Sequence, residues 1–213
     1  SHALLYGTGI LEGIRCYKTK KGPALFRLQD HIERLFFSAK AMKMELPFSA
    51  GQYENACIEL VKANGLTDCY LRLVAMFGHG KIGLSSKGIP VNSFIAAWPQ
   101  ENYLGQKAKD EGISLVTSRL TRVFPSEELA NAKITGQYVA SMIAKTEAIE
   151  KGFDEALMLD SEGNVAECSV ENFFIVKDKK IMTPPAKNAL NGITRVSVME
   201  IAEAEGMTVR EKF

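Results

Sequence analysis

Glu167-Cys168-Ser169-Val170-Glu171-Asn172-Phe173-Phe174, then Ile181-Met182-Thr183, then Leu190-Asn191-Gly192-Ile193-Thr194-Arg195, is the stretch on which the reading of this chain turns. Its apolar runs are punctuated by polar turns. Glu155 to Leu159 and Val165 to Glu167 flank Ser161-Glu162-Gly163-Asn164, while Asn172 to Val176 and Ile181 to Thr183 flank Lys177-Asp178-Lys179-Lys180. Each pair predicts a β-hairpin. Ile193 to Glu205 follows with helical periodicity and stops at Gly206. Hairpins leading into a helix at a glycine predict a mixed α/β fold.

Working outward, Tyr138 to Lys151 reads as a helix ended by Gly152, and Ile113 to Thr117 as a strand. Tyr6 to Tyr17 is apolar and β-branched, turns at Lys18 to Gly22, and returns through Ala24 to Arg27 as a hairpin. Asp30 stands where it would cap a helix carrying Ile32, Leu35, Phe36, Ala39 and Met42. A second helix is expected from Ser49 to Asn64, stopped by Gly65, and strands from Asp68 to Phe77 and Asn92 to Trp98. The whole reads as α/β mixed (α+β): a smaller N-terminal α/β domain over 1–98, a polar linker over 99–105 and a larger domain over 106–213.

Bulk composition narrows the function. The 213 residues hold 26 Lys and Arg against 25 Asp and Glu, scattered to a net charge of +1, which argues against nucleic acid and anionic membranes as partners. Cys16, Cys57, Cys69 and Cys168 form no CxxC pair and are expected as reduced thiols of a cytoplasmic protein. No apolar run has the length of a membrane span. His2, His31 and His79 lack zinc-site spacing and no Gly-x-Ser-x-Gly elbow occurs, so neither a metal nor a serine hydrolase is expected.

Upstream of the opening stretch lies Lys133, in Ala132-Lys133-Ile134-Thr135-Gly136-Gln137-Tyr138. An amine, a carboxylate at Glu167 and a helix start at Gly192, in that order, suit a Schiff-base cofactor with a ring nitrogen and a phosphate, the chemistry of pyridoxal 5'-phosphate (PLP). Each residue also has a plainer reading. Lys133 is otherwise a solvated charge, Glu167 a strand-edge carboxylate, Gly192-Ile193-Thr194 an ordinary cap, and Arg34 a surface arginine rather than a phosphate ligand. Tyr138 is either core or a hydrogen-bond partner of the cofactor's phenolic oxygen. Tyr70 and Arg72 alternate with Cys69, Leu71 and Leu73, so both face one side of a strand. An arginine there invites an anionic partner, either a substrate carboxylate or a structural one such as Glu12.

The run Glu167-x-Ser169-x-x-Asn172-Phe173-Phe174, Ile181-x-Thr183, Leu190-x-Gly192-Ile193-x-Arg195 resembles the class IV aminotransferase signature. Tyr6-Gly7-Thr8-Gly9-Ile10-Leu11-Glu12-Gly13-Ile14-Arg15 and Tyr70-x-Arg72 resemble the two substrate-side motifs of its branched-chain amino-acid aminotransferase branch. The resemblance runs from about Tyr6 to the chain end. It implies the two-domain fold-type IV PLP architecture, similar to D-amino-acid aminotransferase, and a homodimer. By the same resemblance Lys133 would carry PLP as a Schiff base and shuttle the substrate proton, Glu167 would pair with the pyridine nitrogen, and Tyr138 with the ring oxygen. Arg34, Ile193 and Thr194 would hold the phosphate. Tyr6, Leu11, Arg15, Tyr70 and Arg72 would line the substrate pocket, with Leu11 where an aromatic is common. The implied reaction moves an amino group between leucine, isoleucine or valine and 2-oxoglutarate, so the partners are small amino acids and 2-oxo acids. D-amino-acid aminotransferase and aminodeoxychorismate lyase share the fold and stand as alternatives, as does a silent copy serving as a binding or oligomerisation module. Family chains begin earlier and continue beyond the position of Phe213, so a longer parent chain, with a further phosphate contact, is expected.

Overall fold

The computed structural model describes residues 1–100 and 105–212, the side chains of residues 106 and 107 excepted. It divides into two compact units, Ser1–Gln106 with Ala132–Gly136, and Lys107–Asn131 with Gln137–Phe213.

In the first unit α1 (His2–Tyr6) precedes β1 (Gly9–Thr19), β2 (Gly22–Leu25), α2 (Leu28–Ala41), α3 (Ala50–Ala63), β3 (Cys69–Phe77) and β4 (Val91–Pro99). The strands form one antiparallel sheet in the order β2-β1-β3-β4. Alternation builds it: Ile10, Glu12, Ile14 and Cys16 of β1 and Leu71, Leu73 and Ala75 of β3 are wholly buried, and the residues between them are half-buried. Ile32, Leu35 and Ala39 of α2 and Tyr53, Cys57 and Val61 of α3 complete this core. Each fully buried Ile or Leu contributes roughly 2 kcal/mol. The Ser49 hydroxyl accepts from the Gln52 amide while the Gln52 side chain accepts from the Ser49 amide, a capping box worth about 1 kcal/mol to α3.

Two expectations fail here. Tyr6 ends a short helix instead of opening a strand, because Gly7 at φ 65° closes α1 and turns the chain into β1. Asp30 does not cap α2. Arg27, itself at φ 49°, holds that place, and Asp30 sits in the first turn bonded to Arg27 Nε at 3.0 Å.

The second unit takes most of α4 (Gly105–Glu111), then β5 (Leu115–Thr121), α5 (Glu127–Asn131), α6 (Tyr138–Glu150), β6 (Glu155–Leu159), β7 (Val165–Cys168), β8 (Ile175–Lys177), β9 (Lys180–Thr183), α7 (Ile193–Ala204) and β10 (Thr208–Glu211). Both expected hairpins, β6–β7 and β8–β9, are present. Asp178 and Lys179, both at positive φ, make the tight turn of the latter. Two parallel pairings extend them, β5 beside β6 and β10 beside β9, and each is reached through a helix, α6 or α7. Ala144 and Ala148 of α6 pack on Ala156 and Met158 of β6, small side chains that bring helix and sheet close. The expected linker, 99–105, falls largely on residues 101–104, outside the described residues; Pro99 ends β4 and Gly105 opens α4.

Candidate active site

Within the first unit the lysine segment is pinned along β1. Ile134 bridges Ile10, the Leu11 amide donates to the Lys133 carbonyl at 3.0 Å, and the Lys133 amide donates to Ser38 Oγ of α2 at 2.9 Å. Thr135 Oγ1 donates to the Gly7 carbonyl at 2.8 Å and accepts from the Gly9 amide at 3.0 Å. A β-carbon on Gly7 would come within 2.7 Å of Gly136 Cα, and one on Gly9 within 3.1 Å of the Thr135 hydroxyl. The glycines of the Tyr6–Arg15 motif therefore let the lysine segment lie against the strand. Both peptide groups of half-buried Lys133 are fixed, so its side chain projects from rigid backbone.

The opposite face of the sheet gathers the expected substrate side chains. Leu11, Gly13 and Arg15 of β1 stand opposite Val74, Arg72 and Tyr70 of β3. Arg72 lies with its guanidinium carbon 5.2 Å from the Tyr70 ring centre, and Tyr70 lies 5.1 Å from Trp98. A β-carbon on Gly13 would overlap the Tyr70 hydroxyl, so the glycine is the seat of that ring. Arg15 pairs with Asp68 at 2.6 Å and stacks on Tyr17. Tyr6 stands apart from this strand face, at the end of α1 against His2.

Glu12 is not the partner of Arg72; their alternation places them on opposite faces. It faces α2 instead, where Arg34 donates through Nε at 2.8 Å and Nη2 at 2.7 Å and the His31 Nδ1 lies at 2.7 Å. Burial alone would raise the Glu12 carboxyl, but the hydrogen bonds and charge of Arg34 and His31 outweigh it and hold it down at about 2. Two of the five guanidinium N–H groups of Arg34 are committed to this pair, which fixes the plane of the fork.

In the second unit Glu167 lies buried on β7. The Arg122 Nε donates to its Oε1 at 2.6 Å, and the Leu190 amide donates to its Oε2 at 3.2 Å. Arg122 follows β5 directly and also donates through Nη1 to the Gln137 carbonyl at 3.2 Å and to Ser141 Oγ of α6 at 3.0 Å. One guanidinium thus links β5, β7 and the start of α6, where Tyr138 is half-buried. The segment between β9 and α7 is anchored repeatedly: Asn188 to Asp160 at 2.8 Å, Leu190 to Glu167, and the Asn191 amide to Asn131 Oδ1 at 3.0 Å. Buried Arg195 braces its two ends, donating to the Pro184 carbonyl and to Asn191 Oδ1, and pairs with Glu211. Helix α7 then starts at Gly192 with no side-chain cap and no acidic residue in its first turn. The first amide groups of such a helix, here Ile193 and Thr194, suit an anion.

Glu167, Ile193 and Thr194 are thus joined by one loop, and Lys133 is joined to Leu11 and α2. Sequence reasoning missed Arg122 and Ser38. Arg122 is 45 residues from Glu167, and an arginine between Leu120-Thr121 and Val123 was the only local signal.

The amino-transferase class IV family profile matches residues 9–213. A branched-chain-amino-acid aminotransferase of Pseudomonas aeruginosa is 43% identical over all of this chain and 69% of its own length. That of Escherichia coli K12 is 38% identical, with the same coverage. Among solved structures, a T.th. branched-chain amino acid aminotransferase with pyridoxamine 5'-phosphate superposes with a TM-score of 0.93 at 44% identity, over 99% of this chain and 70% of that one. The Escherichia coli enzyme superposes with a TM-score of 0.96 at 38% identity, over 100% and 70%. This chain belongs to the amino-transferase class IV family.

Proposed function

We propose that this chain transfers amino groups between branched-chain L-amino acids (leucine, isoleucine and valine) and 2-oxoglutarate with PLP as cofactor. It is an aminotransferase of mixed α/β fold. The observation that carries the reading is the buried Glu167 carboxylate, held by Arg122 and tied through Leu190 to the uncapped start of α7. An ionised carboxylate accepts hydrogen bonds only, so it suits a protonated ring nitrogen, and the helix start suits a phosphate. These residues fit PLP.

When bound, PLP takes up the electron pair released as the substrate Cα loses its proton. Lys133 Nζ is the point of covalent attachment and the base that moves the Cα proton. Glu167 keeps the proton on the ring nitrogen, and Tyr138 donates to the ring's phenolic oxygen. The Ile193 and Thr194 amides and Arg34, its fork oriented by Glu12, hold the phosphate. Tyr6, Leu11, Arg15, Tyr70 and Arg72 read the substrate, its carboxylate by Tyr70 and Arg72 and its aliphatic chain by Leu11. On this reading the second unit is the cofactor-binding domain.

The working assembly is a homodimer. Leu4, Leu5, Ile82 and Leu84 of the first unit are all strongly exposed, which supports apolar association with a second copy; light scattering on the purified chain measures it. The setting is the cytoplasm. All four cysteines are buried free thiols, which supports a reducing compartment. Among the described residues no helix is long and apolar enough to cross a membrane.

The test is the visible absorption of the protein with PLP. The band is expected to bleach on adding L-leucine and return with 2-oxoglutarate. Response to D-alanine alone, or release of pyruvate from aminodeoxychorismate, would redirect the assignment. Lys133→Ala should abolish turnover, by at least about a thousandfold, with the melting temperature unchanged; substantial residual turnover removes Lys133 from this role.

A further inference from the structure

Asn172 belongs to the signature that opened the reading, yet none of the roles above uses it. Its Nδ2 donates to the Leu190 carbonyl at 2.8 Å. The amide of the same Leu190 donates to Glu167 Oε2 at 3.2 Å. Leu190 is therefore held through both its polar backbone groups, its amide on the ring-nitrogen carboxylate and its carbonyl shared between Asn172 and the Gly192 amide, which donates at 2.8 Å. Two residues later, a β-carbon on Gly192 would overlap Asn172 Oδ1, so the same side-chain amide rests against the residue that starts α7. The loop carries few regular backbone bonds of its own, and without such ties the position of the helix start would follow its fluctuations.

We propose that Asn172 is a positioning residue that sets the span between Glu167 and the start of α7, and so the fit of one rigid ligand across both. The inference rests on the proposed function. PLP has a rigid aromatic ring with nitrogen and phosphate arm at fixed positions, so the carboxylate and the helix amides must lie at one spacing to be engaged together. Small misplacements of such groups are costly. Leu190 and Gly192 are joined by their own backbone bond, and Asn172 fixes that turn in place, bonded to Leu190 on one side and resting against Gly192 on the other. The absence of a side chain at Gly192 then has its own reason: the space is already taken by Asn172.

The test compares apoprotein binding of PLP with that of pyridoxal, which keeps the ring and aldehyde and lacks the phosphate. Wild type, Asn172→Ala, Gly192→Ala and the double variant are titrated by absorbance, with thermal melting as the check on folding. Either single variant should weaken PLP about tenfold, the worth of one or two hydrogen bonds, while pyridoxal changes by less than about twofold. The double variant should be no worse than the poorer single one, because both changes break the same contact. If Asn172→Ala does not fold, Asn172→Asp keeps the shape and turns an oxygen toward the Leu190 carbonyl, and the same loss of discrimination is expected. Unchanged preference for PLP over pyridoxal in a folded variant overturns the inference, as do parallel losses for both ligands, which mark a merely structural residue. A wild-type protein that binds neither overturns the parent reading and the inference with it.

Discussion

Glu12 and Glu167 are the same arrangement put to different ends. Both are carboxylates on strands, both are buried (0% and 3% exposed), and each meets an arginine. Glu12 is gripped by two side chains of one helix, Arg34 in a bidentate fork and His31, so sheet and helix are locked together. Glu167 is held by Arg122 from another strand and by the backbone of the loop that leads to α7. The first orders a core and, through it, the fork of Arg34. The second passes its position on to a helix start. Burial and an arginine therefore do not identify a functional carboxylate; what its remaining partners are attached to does.

Exchanging the two sites is the strongest way to break this comparison. Glu12→Ala leaves buried His31 and half-buried Arg34 without their anion and should cost about 3 kcal/mol of stability, read as a lower urea midpoint. Glu167→Gln keeps its shape but leaves Arg122 without its anion, so it too should lose stability; what sets it apart is turnover lowered on the order of a hundredfold or more. A Glu12 variant that melts like wild type, or a Glu167 variant with near-normal turnover, would mean the roles are misassigned.

Acid sharpens the same contrast. The folded Glu12 carboxyl, at about 2, lies below its ordinary value of 4.5. A depressed carboxyl contributes stability that is fully present above 4.5 and is lost as pH falls from there toward 2. The amount at stake is about 3 kcal/mol. Urea midpoints should therefore fall through that window in wild type and fall less steeply in Glu12→Gln. Equal slopes would assign the acid sensitivity to other carboxyls.

Local pattern made much of this molecule legible. The alternation of Cys69 to Leu73 gave the two faces of β3, Ser49 and Gly65 bracketed α3, and turn chemistry placed both hairpins of the second unit. What stayed hidden depended on distant chain. Tyr6 was expected in a strand because nothing local shows that Gly7 must approach Gly136. Glu12 stood as one of two anions that could face Arg72, and only the register of β1 on β3 removes it by putting the two on opposite faces. Arg122 reaches Glu167 because β5 and β7 flank β6, one pairing parallel and the other antiparallel. Signature residues were easy to find, but not their tasks. Asn172, Gly192 and Arg195 work through backbone groups of a loop whose path no periodicity encodes.

Gly13 offers the smallest and most selective probe, because it touches neither carboxylate. It stands opposite Arg72 on the half-buried face, and Tyr70 lies across it with Arg72 and Trp98 packed against the ring. Gly13→Ala puts a β-carbon where the Tyr70 hydroxyl now lies, so the ring must lift and take the Arg72 guanidinium with it. The backbone of Gly13 is ordinary strand, so the substitution carries no conformational penalty of its own. If Tyr70 and Arg72 read the substrate carboxylate, the KM for 2-oxoglutarate should rise about tenfold, a cost of roughly 1.4 kcal/mol, with PLP affinity and the urea midpoint nearly unchanged. An unaltered KM would mean that this face supports the sheet and does not read the substrate. A lost PLP affinity would mean that strain at Gly13 travels along β1 to Leu11 and the Lys133 carbonyl it holds. The strand that seats the reader of the substrate would then also set the lysine.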